Sequence, residues 1–207
     1  DVSNGALKFR DIRRMVVADV PVILTRVSFS GELGYEIYCA PQFHMRLFEA
    51  LEAAGADLGV RLYGGRALMS MRLEKNWGVW TLDFRPDFTA AESGLDAFIA
   101  FDKTADFIGK AAAKADKPAK RLVTMIVDTK DVDCLGDEPI FHGGNCVGYV
   151  TSGGYAHHVR KSMALGYVPT QCAGDGTELE IELLGEFYKA RVVARPVYDP
   201  DGQRMRS

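Results

Sequence analysis

RVSFSGELGYEIY, residues Arg26 to Tyr38, is the stretch on which the reading of this chain turns. It opens as a strand, with Val27 and Phe29 alternating against Ser28 and Ser30. Gly31 and Gly34 interrupt it, and Tyr35-Glu36-Ile37-Tyr38 resumes it. Two glycines inside a strand pattern predict a bulge, or a place where another group comes close to the backbone. The interruption gathers Phe29, Glu32 and Glu36 around a turn that glycine adopts most easily. An aromatic face for stacking and a carboxylate accepting paired N–H donors suit a flat heteroaromatic ligand. The residue types alone also fit, and by themselves favour, an ordinary tight hairpin with two solvated carboxylates.

Outward from that stretch, 207 residues make room for one large domain or two small ones. A hydrophobic content of 47% and a charged content of 26% are ordinary for a globular protein. A net charge of −3 with both signs mixed throughout argues against a dedicated nucleic-acid binder, which carries a basic stripe. No apolar run approaches the roughly 18–20 residues that cross a bilayer, and no secretory leader pattern opens the chain. Neither nucleic acid nor membrane is therefore expected as a partner. The first residue is Asp1, and Asp1–Gly5 reads as the interior of something longer, a fragment or a processed product. Cys39, Cys134, Cys146 and Cys172 form no C-x-x-C, and no histidine is spaced with them as in a zinc site. Reduced thiols in an intracellular compartment are expected, cytoplasmic or mitochondrial matrix, with no bound metal.

Met15-Val16-Val17 and Val20–Leu24 predict one or two strands, and Val22-Ile23-Leu24 runs into the Arg26 strand or pairs with it. Pro41 suits the first turn of a helix. There Phe43, Leu47, Leu51 and Ala54 make one apolar stripe and Gly55 is the expected C-cap. A second helix is read over about Gly65 to Lys75, with Leu68, Met69 and Met71 on its apolar side. The Asn76–Phe84 run carries Trp77 and Trp80, which read as core anchors or as a ligand wall. Thr89 and Glu92 have capping-box spacing. Leu95 to Phe101 reads as a strand, and a short alanine-rich helix ends near Ala115. Asp116 to Lys120 is the best linker. Beyond it only strands are read, about six in some 80 residues, which predicts a small barrel or sandwich. The last two form a hairpin over Gly185-Glu186, a type II′ signal. His157-His158 reads as a loop over this barrel rather than as an acid–base pair. The fold class is α+β: a mixed-sheet α/β domain over 1–117, then a small all-β barrel over 118–207.

Several separated segments, in order, resemble the folate-binding aminomethyltransferase family of the glycine cleavage system. Arg26 to Glu36 resembles its R-x-x-(aromatic)-(T/S)-G-E-x-G-(aromatic)-E segment. Arg72-Leu73-Glu74 resembles its R-L-E. Thr151-Ser152-Gly153 and Ala164 to Pro169 resemble its T-S-G and A-x-(G/A)-Y-V-P. Lys75 after the glutamate, and Leu68 where glycine-cleavage members carry an arginine, tilt the resemblance toward one branch. That branch forms the C-terminal regions of dimethylglycine and sarcosine dehydrogenases.

The resemblance implies a tetrahydrofolate site. Glu36 would accept the pterin's adjacent amino and ring N–H donors, Phe29 would stack on the ring, and Trp77 and Tyr155 would line the pocket. Arg72 and Glu74 are expected to be structural. It implies transfer of a formaldehyde-level carbon from an N-methyl amine donor to tetrahydrofolate, with the proton-handling aspartate upstream of Asp1. A flavin domain would precede this stretch in the dehydrogenase branch. The anchor of the folate glutamate tail stays unassigned, because Leu68 replaces the usual arginine. The alternatives are a stand-alone glycine-cleavage aminomethyltransferase and, in another class, a non-catalytic folate-binding or structural module. The K-G-C-Y-x-G-Q-E signature of the family's iron–sulfur-maintenance branch is absent.

Overall fold

A computed structural model describes residues 1–207. It is α+β, and by its internal contacts the chain forms two compact units, Asp1–Met71 with Asp199–Ser207, and Arg72–Tyr198. The polar stretch around Pro118, read from sequence as a linker, lies inside the second of these.

The first unit is built on β1 (Ile12–Val17), β2 (Val20–Thr25) and β3 (Glu36–Cys39), in that spatial order. Both pairings are antiparallel, so the sheet expected to be mixed is antiparallel in these three strands. Strict alternation in β2 buries Val20, Val22 and Leu24 and exposes Pro21 and Ile23. A single 3-10 turn, Pro41–Phe43, leads into helix α1 (His44–Gly55). Of the stripe read on this helix only Leu47 is buried, packing with Val20 and Val22, while Leu51 stays exposed. The C-cap also moves. Gly55 is still right-handed, the chain adds one 3-10 turn, and the left-handed stop is Gly59 at φ 72°.

Residues 26–30 are not a strand, contrary to the alternation of Val27 and Phe29. They belong to the long loop joining β2 to β3. The Arg26 backbone still bonds Arg10 and Asp11 beside β1; beyond it the loop bonds itself. Ser28 Oγ accepts the Gly31 N–H at 3.0 Å and Ser30 Oγ accepts the Glu32 N–H at 3.3 Å. Short hydroxyl side chains compete with a sheet ladder in this way. Both glycines are needed: Gly31 sits at φ 86°, and a Cβ on Gly34 would come within 2.8 Å of the Val27 carbonyl. Arg26 is buried beneath, donating to the carbonyls of Leu7 and Ser207, each at 2.8 Å. Helix α2 (Gly65–Leu73) runs from the first unit into the second.

The second unit is a closed barrel of β4 (Lys120–Val127), β5 (Pro139–His142), β6 (Asn145–Ala156), β7 (Lys161–Pro169), β8 (Glu178–Leu183) and β9 (Glu186–Val193). The order around it is β4-β7-β6-β5-β8-β9, every pair is antiparallel, and β9 closes onto β4. The short helix α3 (Lys110–Ala115) precedes it. Closure leaves no free strand edge. In β7 the residues from Ser162 to Val168 are all buried. An apolar run without alternation is what a strand covered on both faces requires. Ala164 and Val168 join the barrel core with Met125, Ile140 and Ile181. Tyr167, on the other face, stacks on Phe88 with ring centroids 3.5 Å apart.

Two further expectations change here. Leu95–Phe101 is not a strand; Asp96–Phe98 is a 3-10 turn. It follows the reciprocal capping box, in which the Thr89 N–H bonds Glu92 Oε2 and the Glu92 N–H bonds Thr89 Oγ1. The last hairpin turns on Leu184-Gly185, since Leu183 faces Glu186. Leu184 at φ 54° and Gly185 at φ 87° make it type I′ rather than II′, because both central residues are left-handed. No helix is long and apolar enough to cross a membrane.

Candidate functional site

Glu36 begins β3, where the glycine loop hands the chain back to the sheet, and its side chain is exposed. One carboxylate oxygen accepts the Tyr38 phenol, and the other makes no hydrogen bond. The bond and the carboxylate's charge raise the Tyr38 pKa above the ordinary phenol range. Phe29 lies in the same loop, half-buried. Glu32 is held by Arg204, Nη1 to Oε2 at 3.3 Å.

Trp77 and Tyr155 belong to the second unit. Trp77 sits where the chain leaves α2, and one arginine fixes its peptide from both sides. Its N–H bonds the Arg72 carbonyl at 3.2 Å, and its carbonyl accepts Arg72 Nη1 at 2.9 Å. The ammonium of Lys75, 2% exposed, lies 5.7 Å from the indole centroid and donates to the Tyr198 carbonyl. Tyr155 is 40% exposed near the end of β6 and meets His157 edge-on at 5.0 Å.

The chemistry missed in the sequence centres on Asp83, which is 0% exposed. Its Oδ2 accepts Arg72 Nη1 at 2.9 Å and the Val79 N–H at 2.8 Å. Its Oδ1 accepts the Thr151 hydroxyl and, at 2.7 Å, the Ser152 hydroxyl. Neighbouring side chains on a strand ordinarily point to opposite faces. Here β6 carries a bulge between Val150 and Ser152, which lets consecutive hydroxyls reach one oxygen. The T-S-G segment is thus a carboxylate clamp. The Asp83 carbonyl accepts the Tyr167 hydroxyl at 2.9 Å, and Ser93 Oγ sits 2.8 Å from the same hydroxyl. Burial lowers the Arg72 pKa, with Asp83 opposing, and burial raises that of Tyr167. A lone Asp after Trp80 carries no pattern that would single it out.

Glu74, also buried, accepts the backbone N–H of His158 at 2.6 Å and of Val159 at 3.1 Å. Arg72 and Glu74 are therefore structural, as expected. His157 and His158 are exposed in the turn before β7, the second with its ring 4.1 Å from that of Tyr198. No acid–base partner of either histidine is found.

Two family models match the chain: the GCVT N-terminal domain over residues 1–103 and the glycine cleavage T-protein C-terminal barrel domain over residues 120–199. Mitochondrial dimethylglycine dehydrogenase of Mus musculus is 38% identical over 209 residues, covering 100% of this chain and 24% of the relative. An aminomethyltransferase of Synechocystis is 35% identical over 84% of this chain and 46% of its own. A crystal structure of the glycine cleavage system aminomethyltransferase T from Bartonella henselae superposes with a TM-score of 0.78. It shares 28% identity and covers 86% of this chain and 50% of that one. The chain spans about a quarter of the length of the dehydrogenases it matches.

Proposed function

The chain belongs to the glycine cleavage T-protein family, and from that premise we propose that it is a tetrahydrofolate-dependent one-carbon transfer domain serving an N-methyl amine such as dimethylglycine or sarcosine. The domain is of the aminomethyltransferase type. The observation that carries the finer reading is the match to a dimethylglycine dehydrogenase across the whole chain. Lys75 and Leu68, the two positions at which the sequence leans toward the dehydrogenase branch, point the same way.

The local chemistry fits a pterin. Glu36 offers an exposed carboxylate with one oxygen free of hydrogen bonds, and a carboxylate accepts two adjacent N–H donors as it accepts a guanidinium fork. Phe29 would stack on the ring. Trp77 rests on the resemblance alone as a second aromatic face, and within its own unit Arg72 fixes its carbonyl. Tetrahydrofolate, when bound, supplies the nucleophilic nitrogens that take the formaldehyde-level carbon from the amine donor as 5,10-methylenetetrahydrofolate. These side chains bind and orient; none is assigned the proton-handling role, which the family resemblance places outside the stretch.

Equilibrium titration of the protein with tetrahydrofolate tests this. Two charge-assisted hydrogen bonds at about 1.5–3 kcal/mol each mean that Glu36→Ala should weaken binding by at least about 100-fold. Its thermal unfolding should stay near that of the parent, because the side chain is exposed. Equal affinity in the parent and in Glu36→Ala would remove Glu36 from the site, and no binding by either would leave a structural module.

A further inference from the structure

One mouth of the barrel carries a cavity whose lining shares only Tyr155 with the residues that the resemblance implies for the pterin. Strand register sets an inward-facing layer there. Val127 stands opposite Ser162 and Ala190, Tyr155 opposite Ser162, and Leu179 opposite Ala190. A cavity of about 740 Å3 opens over this layer, and all six strands contribute to its lining. Barrel mouths are a recurrent place for small-molecule sites.

The lining is unusual in two respects. Ser162, 3% exposed, is part of it, and its hydroxyl has no hydrogen-bond partner. Buried polar groups are nearly always paired, and an orphan calls for an explanation. The charges are also unbalanced. Glu178 and Glu180 stand directly across the β8–β9 ladder from Arg191 and Lys189, so that each carboxylate faces a cation. That leaves Lys130, Arg160 and Lys161 against Asp128 alone. Arg160 is held in the left-handed region at φ 56°, a conformation uncommon outside glycine, asparagine and aspartate.

We propose that this mouth binds a compact anion carrying at least two charges, a phosphate or closely spaced carboxylates. The floor of Val127, Leu179 and Ala190 is apolar, and low-dielectric walls focus the field of the cations above it. Arg160 supplies a planar fork that matches phosphate and carboxylate oxygens, Lys130 and Lys161 supply point charges, and the Ser162 hydroxyl supplies the missing short-range donor. The same chemistry has two sources, a phosphate group or a γ-linked glutamate chain.

Calorimetric titration of the full chain at low salt, with inorganic phosphate in one arm and tri-γ-glutamate in the other, separates them. Saturable binding is expected in at least one arm, weakening with added salt. The Arg160→Ala, Lys161→Ala double variant should bind at least tenfold more weakly, and Ser162→Ala about threefold. Glu36→Ala should bind as the parent does, so a failed pterin site and a failed mouth site give different results. Thermal unfolding checks that each variant is folded, and Lys130→Ala provides a second cation variant if the double one is not. No saturation in either arm, or saturation that the folded variants leave unchanged, overturns the proposal; the latter would be adventitious ion binding only.

Discussion

In residues 72–198 six strands close on themselves, whereas in the other unit three strands leave two edges and much of one face of their sheet open. The barrel gathers Met125, Ile140, Val150, Ala164, Ile181 and Val192 into one buried cluster with eight further buried residues. The three-stranded sheet gathers only Val20, Val22 and Leu47 in the same sense. Its other face presents Ile12 and Val16 at 66% exposure and Tyr38 at 54%, next to Glu36 on the same strand. The difference teaches how unevenly the two units bury their polar and apolar side chains. The barrel unit buries a carboxylate, Asp83, with both oxygens hydrogen-bonded, and the sheet unit presents a carboxylate and an aromatic ring on a segment with little core beneath it. Binding residues are commonly borne by loops on a stable scaffold.

That contrast breaks most sharply at Asp83. Asp83→Ala leaves the buried Arg72 charge without its partner and frees the hydroxyls of Thr151 and Ser152. A loss of about 3–5 kcal/mol is expected, measured by chemical denaturation. A loss below about 1 kcal/mol would mean that the network behaves as a surface pair. A milder break compares matched truncations. Met125→Ala in the barrel, at 0% exposure, should cost about 2–5 kcal/mol. Ile23→Ala on the open sheet face, at 36%, should cost about 0.5 kcal/mol or less. Equal costs would show that the sheet face is buried in solution. The smallest effect sharpens the comparison from the barrel side. Leu184 is a branched, 93% exposed residue at positive φ, and Leu184→Asn should stabilise by up to about 1 kcal/mol. A lowered melting temperature would contradict the turn assignment.

Most of the barrel was legible because short alternating runs separated by glycine turns recur after Lys120. The capping box at Thr89-Glu92 was legible for a similar reason, since its two hydrogen bonds lie within one turn. The opening stretch misled where hydroxyls compete with the ladder. Val27 and Phe29 alternate as a strand would, yet Ser28 and Ser30 turn the backbone aside. Leu95–Phe101 misled in the same way, as an apolar run that a 3-10 turn absorbs. Gly185 marked a hairpin correctly, but the residue before it took the second left-handed position, which leucine does not advertise. The importance of Arg72 and Glu74 was visible from resemblance, while their common purpose was not, because the partners lie in β6 and in the turn before β7.

The sequence by itself determined the family, the closed antiparallel architecture of the second half, the helix after Pro41 and the need for glycine at positions 31 and 34, since each depends on neighbours a few residues apart or on motif order. Only the tertiary structure decided that Thr151 and Ser152 grip Asp83, that Arg72 holds the Trp77 carbonyl, and that Ser162 lies unpartnered in the lining of the barrel-mouth cavity. Those depend on contacts across 5 to 69 positions of chain: Arg72 meets Trp77 five residues on, and Asp83 meets Ser152 at a separation of 69. Such pairs are set by a bulge and by strand register, and no local pattern encodes either.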